Sequence, residues 1–322
     1  MKILVCGTNY GSTYIRALAG GHGGARLAGI LSTGSERSLA YARQAQVPHY
    51  TGVHEIADGG IDIACVAVPG AAGSRLAMAL LVKGIHVLCE HPMGAEPAAK
   101  ALAVAQMHRR LFQINAHFAD LPAPQSFYRS LAVAAQPGPA LHFELAVNLR
   151  TLYSGLDLVG RALASLRDME IIATPWSGDT PELFANLRLA GPKAHVSLLC
   201  QNFASAADDG SATLLNHRCS ATFAHGNLLL AESNGPVLWF PSPVSMPTQH
   251  WRNYLPVDLG QVDVALLQQQ RDSANLAAIL DMMAVIHGQP QQPHQHPEYL
   301  QALTGLWERA LHRLCHGTKD SL

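Results

Sequence analysis

Over the first 118 or so residues, short apolar runs alternate with segments whose apolar positions recur at helical spacing. The runs at 2–6 (KILVC), 26–31, 61–68 (IDIACVAV), 85–89 and 111–116 lack the in–out alternation of a half-exposed strand. They read as parallel strands covered on both faces. Between them, helices are expected over Ser12–Leu18, 36–46, 74–83 and 96–109. Strand–helix alternation at this spacing implies a parallel, doubly wound sheet with right-handed crossovers. Such sheets bind ligands beyond the carboxyl ends of their strands. Those ends are the turns at 7–11, 32–37, 68–73, 90–92 and 115–118.

From 141 the pattern changes. LHFELAVNL (141–149), AHVSLLCQNF (194–203), ATLLNHRCSATFA (212–224) and GNLLLAES (226–233) are longer strands, suggesting a mixed, mostly antiparallel sheet. A helix opens at Tyr153, Ser154 and Asp157, and residues 261–287 and 298–316 read as further helices. The Pro-, Trp- and Ser-rich stretch Asn234–Tyr254 reads as a long irregular segment, either a functional lid or ordinary loop packing. Its Trp239, Phe240, Trp251 and Tyr254 could stack on an aromatic ligand. The expected organisation is α/β, with domains at 1–118 and 119–322, the second an α+β domain on a large, mostly antiparallel sheet.

Composition narrows the function classes. With 48% apolar and 14% charged residues the chain can fill two cores. A net charge of -1 suggests neither a nucleic-acid surface nor an anionic membrane. No apolar stretch approaches the ~20 residues of a membrane helix. The opening MKILVCG reads as a strand and not a secretory segment. Cys6, Cys65, Cys89, Cys200, Cys219 and Cys315 show no C-x-x-C spacing and read as reduced thiols, which leads to an expected cytoplasmic location. His294 and His296 in QQPHQHP raise a metal site, but no third ligand is apparent and a solvated loop is expected, with no metal.

The candidate chemistry sits in the turns. Gly7-Thr8-Asn9-Tyr10-Gly11 follows the first strand and opens a helix, where backbone N–H groups can bind a pyrophosphate. It is G-x-x-x-G and not the usual G-x-G-x-x-G, so a plain glycine-containing turn is the alternative. The second strand ends in Ser32-Thr33 without the carboxylate that binds an adenosine ribose. Ser35, Arg37 and Ser38 follow, which suits a 2′-phosphate and favours NADPH over NADH. Alternatively Arg37 is an ordinary surface residue and Glu36 pairs the ribose. Val68, which ends the third strand, and Pro69, which stops it, complete the candidate cofactor edge together with Glu90 and His91.

The run GIHVLCEHPMG (84–94) resembles the glucose-fructose oxidoreductase family and its G-x-x-V-x-x-E-K-P signature. Gly84, Val87, Glu90 and Pro92 match, and His91 stands where that family has lysine. With LSTGSERS (31–38), DIACVAV (62–68), TLYSGLDL (151–158) and NGPVLW (234–239), the chain resembles the thiazolinyl imine reductases within that superfamily, which act in pyochelin- and yersiniabactin-type siderophore assembly. The resemblance implies a Rossmann domain, NADPH, and a homodimer packed through the second domain's sheet. It also implies reduction of a thiazoline C=N to a thiazolidine, on a substrate held as a thioester on a peptidyl carrier protein of a nonribosomal synthetase.

Such a reaction needs a proton donor near the imine nitrogen. His91 and His117 are the two candidates, and either could instead serve only a structural or cofactor-binding role. A tyrosine that related enzymes carry near residue 117 is replaced here by His117-Phe118. Asn115 could orient the nicotinamide amide or the substrate, and Tyr153, Asp157 and Trp239 could contact the substrate. The sugar dehydrogenases of the broader family place an Asp and a His one helical turn apart. Here Asp157 is followed by Arg161, which an intrahelical ion pair explains equally well.

Overall fold

The computed structural model describes residues 1–173, 184–202, 213–242, 252–255 and 263–316. The chain divides into two compact units, Met1–His117 with Gln268–Gln301 and Phe118–Leu267 with Ala302–Leu322.

Unit 1 contains β1 (Lys2–Cys6), α1 (Ser12–Leu18), β2 (Arg26–Leu31), α2 (Glu36–Ala45), β3 (His49–Tyr50), β4 (Ile63–Val66), α3 (Gly70–Val82), β5 (His86–Glu90), α4 (Ala95–Met107) and β6 (Phe112–Asn115). Its strands run in the order β3-β2-β1-β4-β5-β6, and every pairing is parallel. Burial is complete along β4, as a strand covered on both faces requires. One strand and one helix start differ most from what the periodicity predicts. β3 has only two residues, too few for periodicity to reveal. Helix α3 begins at Gly70, directly after Pro69, where the Pro-Gly pair had suggested a longer turn. Proline fits at a helix start because its missing N–H has no intrahelical acceptor to lose.

Unit 2 contains α5 (Pro122–Ala134), β7 (His142–Asn148), α6 (Leu152–Leu163), β8 (Glu170–Ala173), β9 (Phe184–Ala190), β10 (His195–Gln201), β11 (His217–Phe223), β12 (Gly226–Leu230), β13 (Val237–Pro241) and β14 (Arg252–Leu255). The eight strands run β14-β13-β12-β11-β7-β10-β9-β8, antiparallel except for β7 with β10. On β11 burial alternates, with His217, Cys219, Ala221 and Phe223 inward, so one face packs a core. Helix α5 was not expected. Pro122 and Pro124 stand at its start, and both are tolerated in a first turn.

The remaining helices are α7 (Val264–Ile286) and α8 (Pro297–His316). The sequence reading gave everything beyond 119 to the second domain, whereas residues 268–301 fold with unit 1. The reason is apolar packing. Ile279, Met282 and Met283 of α7 are buried in one core with Ile3, Val5, Tyr14 and Ile63. Full burial of one such side chain is worth roughly 1.5–3 kcal/mol. Among the described residues, no helix is long and apolar enough to cross a membrane. Cys6, Cys65, Cys89, Cys200 and Cys219 are buried free thiols, and Cys315 is exposed.

Candidate active site at the strand ends

The first turn closes tightly on itself. Gly7 adopts φ 81° and donates its N–H to the Leu31 carbonyl at 2.8 Å. The Thr13 N–H and hydroxyl both donate to the Tyr10 carbonyl at 2.9 Å, and the Ser12 hydroxyl donates to Asn9. Gly11 is the N-cap of α1, and no side chain caps that end. Uncapped N–H groups at a helix start are the donors a pyrophosphate takes. Thr8 is buried and Asn9 exposed, so the turn offers backbone more than side chains.

At the second turn, Ser32 Oγ lies 2.9 Å from His49 Nε2 and accepts from the Gly34 N–H at 3.2 Å. Ser35 is the N-cap of α2, its hydroxyl accepting from the Ser38 N–H at 3.3 Å and donating to Ser38 Oγ at 3.2 Å. Ser35 is thus engaged in capping. Arg37 is exposed beside it. His49 escaped the sequence reading because it lies on the two-residue β3, which brings it beside Ser32. At the end of β4, Val68 is half-buried and Pro69 exposed.

The ends of β5 and β6 carry the ionisable groups. The His91–Pro92 peptide is cis. His91 Nδ1 lies 2.9 Å from the Asn115 carbonyl and 3.1 Å from Glu90 Oε1. A carbonyl only accepts, so Nδ1 of His91 carries a hydrogen. His117, in the turn after β6, is 1% exposed. Its Nδ1 lies 2.9 Å from the Tyr10 hydroxyl and 3.6 Å from Glu90 Oε1, and its ring centroid is 6.0 Å from that of His91.

Burial pushes the Glu90 carboxyl up, but hydrogen bonds and charge from His117 and His91 outweigh it and hold the pKa at about 2. Burial likewise pulls His117 below the ordinary histidine value, and Glu90 offsets only part of this. At neutral pH the carboxylate is therefore ionised and His117 neutral. Burial first, and then the Glu90 charge, raise the Tyr10 phenol far above its usual range, so it acts as a hydroxyl.

Glu90, His91 and His117 also form the one group of potential metal ligands found among the described residues, their ligand atoms within 4.8 Å of one another. The hydrogen on His91 Nδ1 directs that nitrogen to the carbonyl and not to a metal. His294 is half-buried, and His296 Nε2 lies 3.2 Å from the Gln291 carbonyl.

Four expected substrate contacts have other surroundings. Asn115 is 2% exposed, and its amide donates to Tyr14 and Asn275 at 2.6 and 2.7 Å, which makes it a brace inside unit 1. In unit 2, Tyr153 is 1% exposed and meets the Trp307 ring edge-on at 5.8 Å. Asp157 is buried and accepts from Arg161 at 2.9 Å, and Arg161 also reaches Asp120 at 2.7 Å. Trp239 packs against Phe223 and His225. Phe240 is half-buried and Tyr254 exposed, while Trp251 lies outside the described residues. Tyr14 and Asn275 were missed altogether: one reads as a core aromatic, the other as a polar residue on a distant helix.

Residues 1–116 match the model of the oxidoreductase family with an NAD-binding Rossmann fold. Residues 139–240 match the model described as thiazolinyl imine reductase Irp3-like, C-terminal. Inositol 2-dehydrogenase 1 of Saccharopolyspora erythraea is 31% identical over 160 residues, which span 48% of each chain, about half the length of that relative. An oxidoreductase from Agrobacterium radiobacter, solved with NAD+, L-tartaric acid and magnesium, superimposes with a TM-score of 0.76 at 14% identity over 98% of this chain and 97% of that one. A 3-ketoreductase from Actinomadura kijaniata, solved with TDP-benzene and NADP, does so at 0.71 and 15%, covering 96% of each chain. UDP-N-acetylglucosamine 3-dehydrogenase from Acidithiobacillus ferrooxidans gives the same values. At these identities the solved structures show the fold alone. The chain thus combines the NAD(P)-binding fold of an oxidoreductase with a C-terminal segment similar to that of thiazolinyl imine reductases.

Proposed function

We propose that this protein is an NADPH-dependent reductase that converts a thiazoline C=N to a thiazolidine on a siderophore intermediate. The intermediate is tethered to a peptidyl carrier protein domain of a nonribosomal peptide synthetase. The observation that carries the reading is the joining, in one chain, of a Rossmann oxidoreductase segment at 1–116 to an imine-reductase-like segment at 139–240. A homodimer formed through the sheet of unit 2 and a cytoplasmic location belong to the same reading.

The residues present fit the cofactor. The uncapped start of α1 suits the pyrophosphate. The end of β2 offers Ser32, His49 and the exposed Arg37 to a 2′-phosphate, with Glu36 turned out to solvent. The chemistry that NADPH held there would supply is a hydride for the imine carbon. The imine nitrogen then needs a proton, and His91 is the group to give it. Its Nδ1–H is held by Glu90 and the Asn115 carbonyl, so the labile proton sits on Nε2. A carboxylate behind an imidazole fixes the tautomer and stabilises the imidazolium. His117, neutral and 1% exposed, orients with Tyr10 and donates no proton.

The test is NADPH oxidation with a thiazoline thioester analogue. We expect turnover with the imine and none with myo-inositol or sugars, and a fall in kcat of roughly 10²–10⁴-fold in His91→Gln. Turnover with the sugar alone would replace this reading by that of a sugar dehydrogenase. Wild-type kcat in His91→Gln would remove the acid assignment.

A further inference from the structure

Glu90 is the hub between the two imidazoles, and what holds Glu90 comes from α7. Asn275 is fully buried on that helix. Its amide donates to Thr13 Oγ1 at 3.0 Å and to the Tyr10 hydroxyl at 3.4 Å, and its oxygen accepts from Asn115 at 2.7 Å. Asn115 also donates to the Tyr14 hydroxyl at 2.6 Å, and Tyr14 donates to Glu90 Oε2 at 2.6 Å.

The direction of each link follows from the first. The Thr13 hydroxyl donates to the Tyr10 carbonyl, so toward Asn275 its oxygen can only accept. Asn275 must therefore turn its amide nitrogen to Thr13 and its oxygen to Asn115. Asn115 must answer with its own nitrogen, whose second hydrogen reaches the Tyr14 oxygen. The Tyr14 hydrogen is left for Glu90. The donors diverge from Asn115: one branch runs through Asn275 and Thr13 to the Tyr10 carbonyl, the other through Tyr14 to the Glu90 carboxylate, and along each branch the hydrogen bonds polarise one another.

We propose that Asn275 is a positioning residue for the reactive histidine: by accepting from Asn115 it fixes that amide so that its other hydrogen meets Tyr14, which leaves the Tyr14 hydrogen to pin Oε2 of Glu90 and keeps Oε1 turned to His91 and His117. The inference rests on His91 as the proton donor. It adds that the donor's orientation is set from a helix more than 150 residues further along the chain. If Asn275 becomes apolar, Asn115 is free to flip and present its oxygen to Tyr14, which draws the Tyr14 hydrogen away from Glu90. The carboxylate then loses its anchor, and the Nδ1–H of His91 loses a fixed acceptor. Other groups around the imidazoles include Tyr10, in the turn before α1, and Arg271 on α7, whose charge acts on both Tyr10 and His117. Burial first, with the Glu90 charge adding to it, keeps the thiols of Cys65 and Cys89 neutral.

The test reads the ring protons of the unliganded protein by 1H–15N NMR, with His91 assigned by the signals lost in His91→Gln. Wild type should show a low-field Nδ1–H of His91 that exchanges slowly with water, and an unprotonated Nε2 at high pH. In Asn275→Leu and Tyr14→Phe that proton should exchange roughly tenfold faster or disappear, while the core methyls of Ile279 and Met282 keep their positions. A His91 Nδ1–H unchanged in the folded variants would overturn the proposal, as would a bare Nδ1 in the wild type. Should Asn275→Leu fail to fold, Tyr14→Phe decides alone, since it removes only a hydroxyl. Normal turnover in His91→Gln would sink the acid reading instead and leave the NMR result standing.

Discussion

Two glycines of the cofactor edge share a backbone conformation but not a neighbourhood, which separates strain from collision. Gly7 has φ 81° and Gly34 has φ 87°, so alanine at either enters the left-handed region. That costs about 1–2 kcal/mol, offset by about 0.4–1 kcal/mol because alanine restricts the unfolded chain. At Gly34 a Cβ would meet nothing within 4 Å. At Gly7 it would lie 2.9 Å from the Ala67 carbonyl oxygen and 3.1 Å from Val68 Cγ2. Ala67 donates its N–H to the Cys6 carbonyl at 2.9 Å, so it cannot retreat without loosening β4 from β1. Overpacking of this kind adds about 1–3 kcal/mol. Gly34→Ala should therefore cost about 0–1.6 kcal/mol and Gly7→Ala about 1–3 kcal/mol more than that. Urea unfolding of the two variants beside wild type measures the gap. Equal losses, or a Gly7→Ala variant as stable as wild type, would refute the reasoning.

Three further outcomes are expected. Asp157→Ala should destabilise the protein by about 2–4 kcal/mol, because the Arg161 side chain, 9% exposed, keeps only part of its compensation. Its kcat per folded molecule should hold, and a hundredfold loss of kcat at unchanged stability would make Asp157 a substrate contact after all. Arg37→Ala should raise KM for NADPH roughly tenfold and leave that for NADH alone, and parallel changes would remove Arg37 from the 2′-phosphate site. Acid should destabilise the fold in two stages. His117 has its pKa lowered, so the unfolded chain binds more protons and stability falls as pH drops below the ordinary histidine value. The Glu90 contribution, present above pH 4.5, is then lost as pH falls toward about 2. Tm measured between pH 8 and 5 should decline, with a shallower decline in His117→Asn, and a flat or rising wild-type profile would contradict the His117 assignment.

The parallel sheet of unit 1 could be read from the sequence because its strands are continuous apolar runs, and its ligand edge followed from the position of the turns. Glu90, His91 and His117 were visible for the same reason: each stands where a strand ends. Ser35 was visible too, but as a candidate ligand, and the fold engages it as a helix cap. His49 and Tyr14 were not visible, since neither a two-residue strand nor one aromatic in a short helix carries a pattern.

What the order of residues determines alone is local: apolar periodicity, turn chemistry, and which side chain follows which strand. Tertiary structure decided the rest. It folded residues 268–301 into unit 1 because the apolar face of α7 needed a core to bury it, and so delivered Asn275 to Asn115, 160 positions away in sequence. It decided that Asn115, Tyr153 and Asp157 are enclosed and partnered within their own units. A buried polar group must find its partner wherever packing brings one, and that distance in sequence has no local signature.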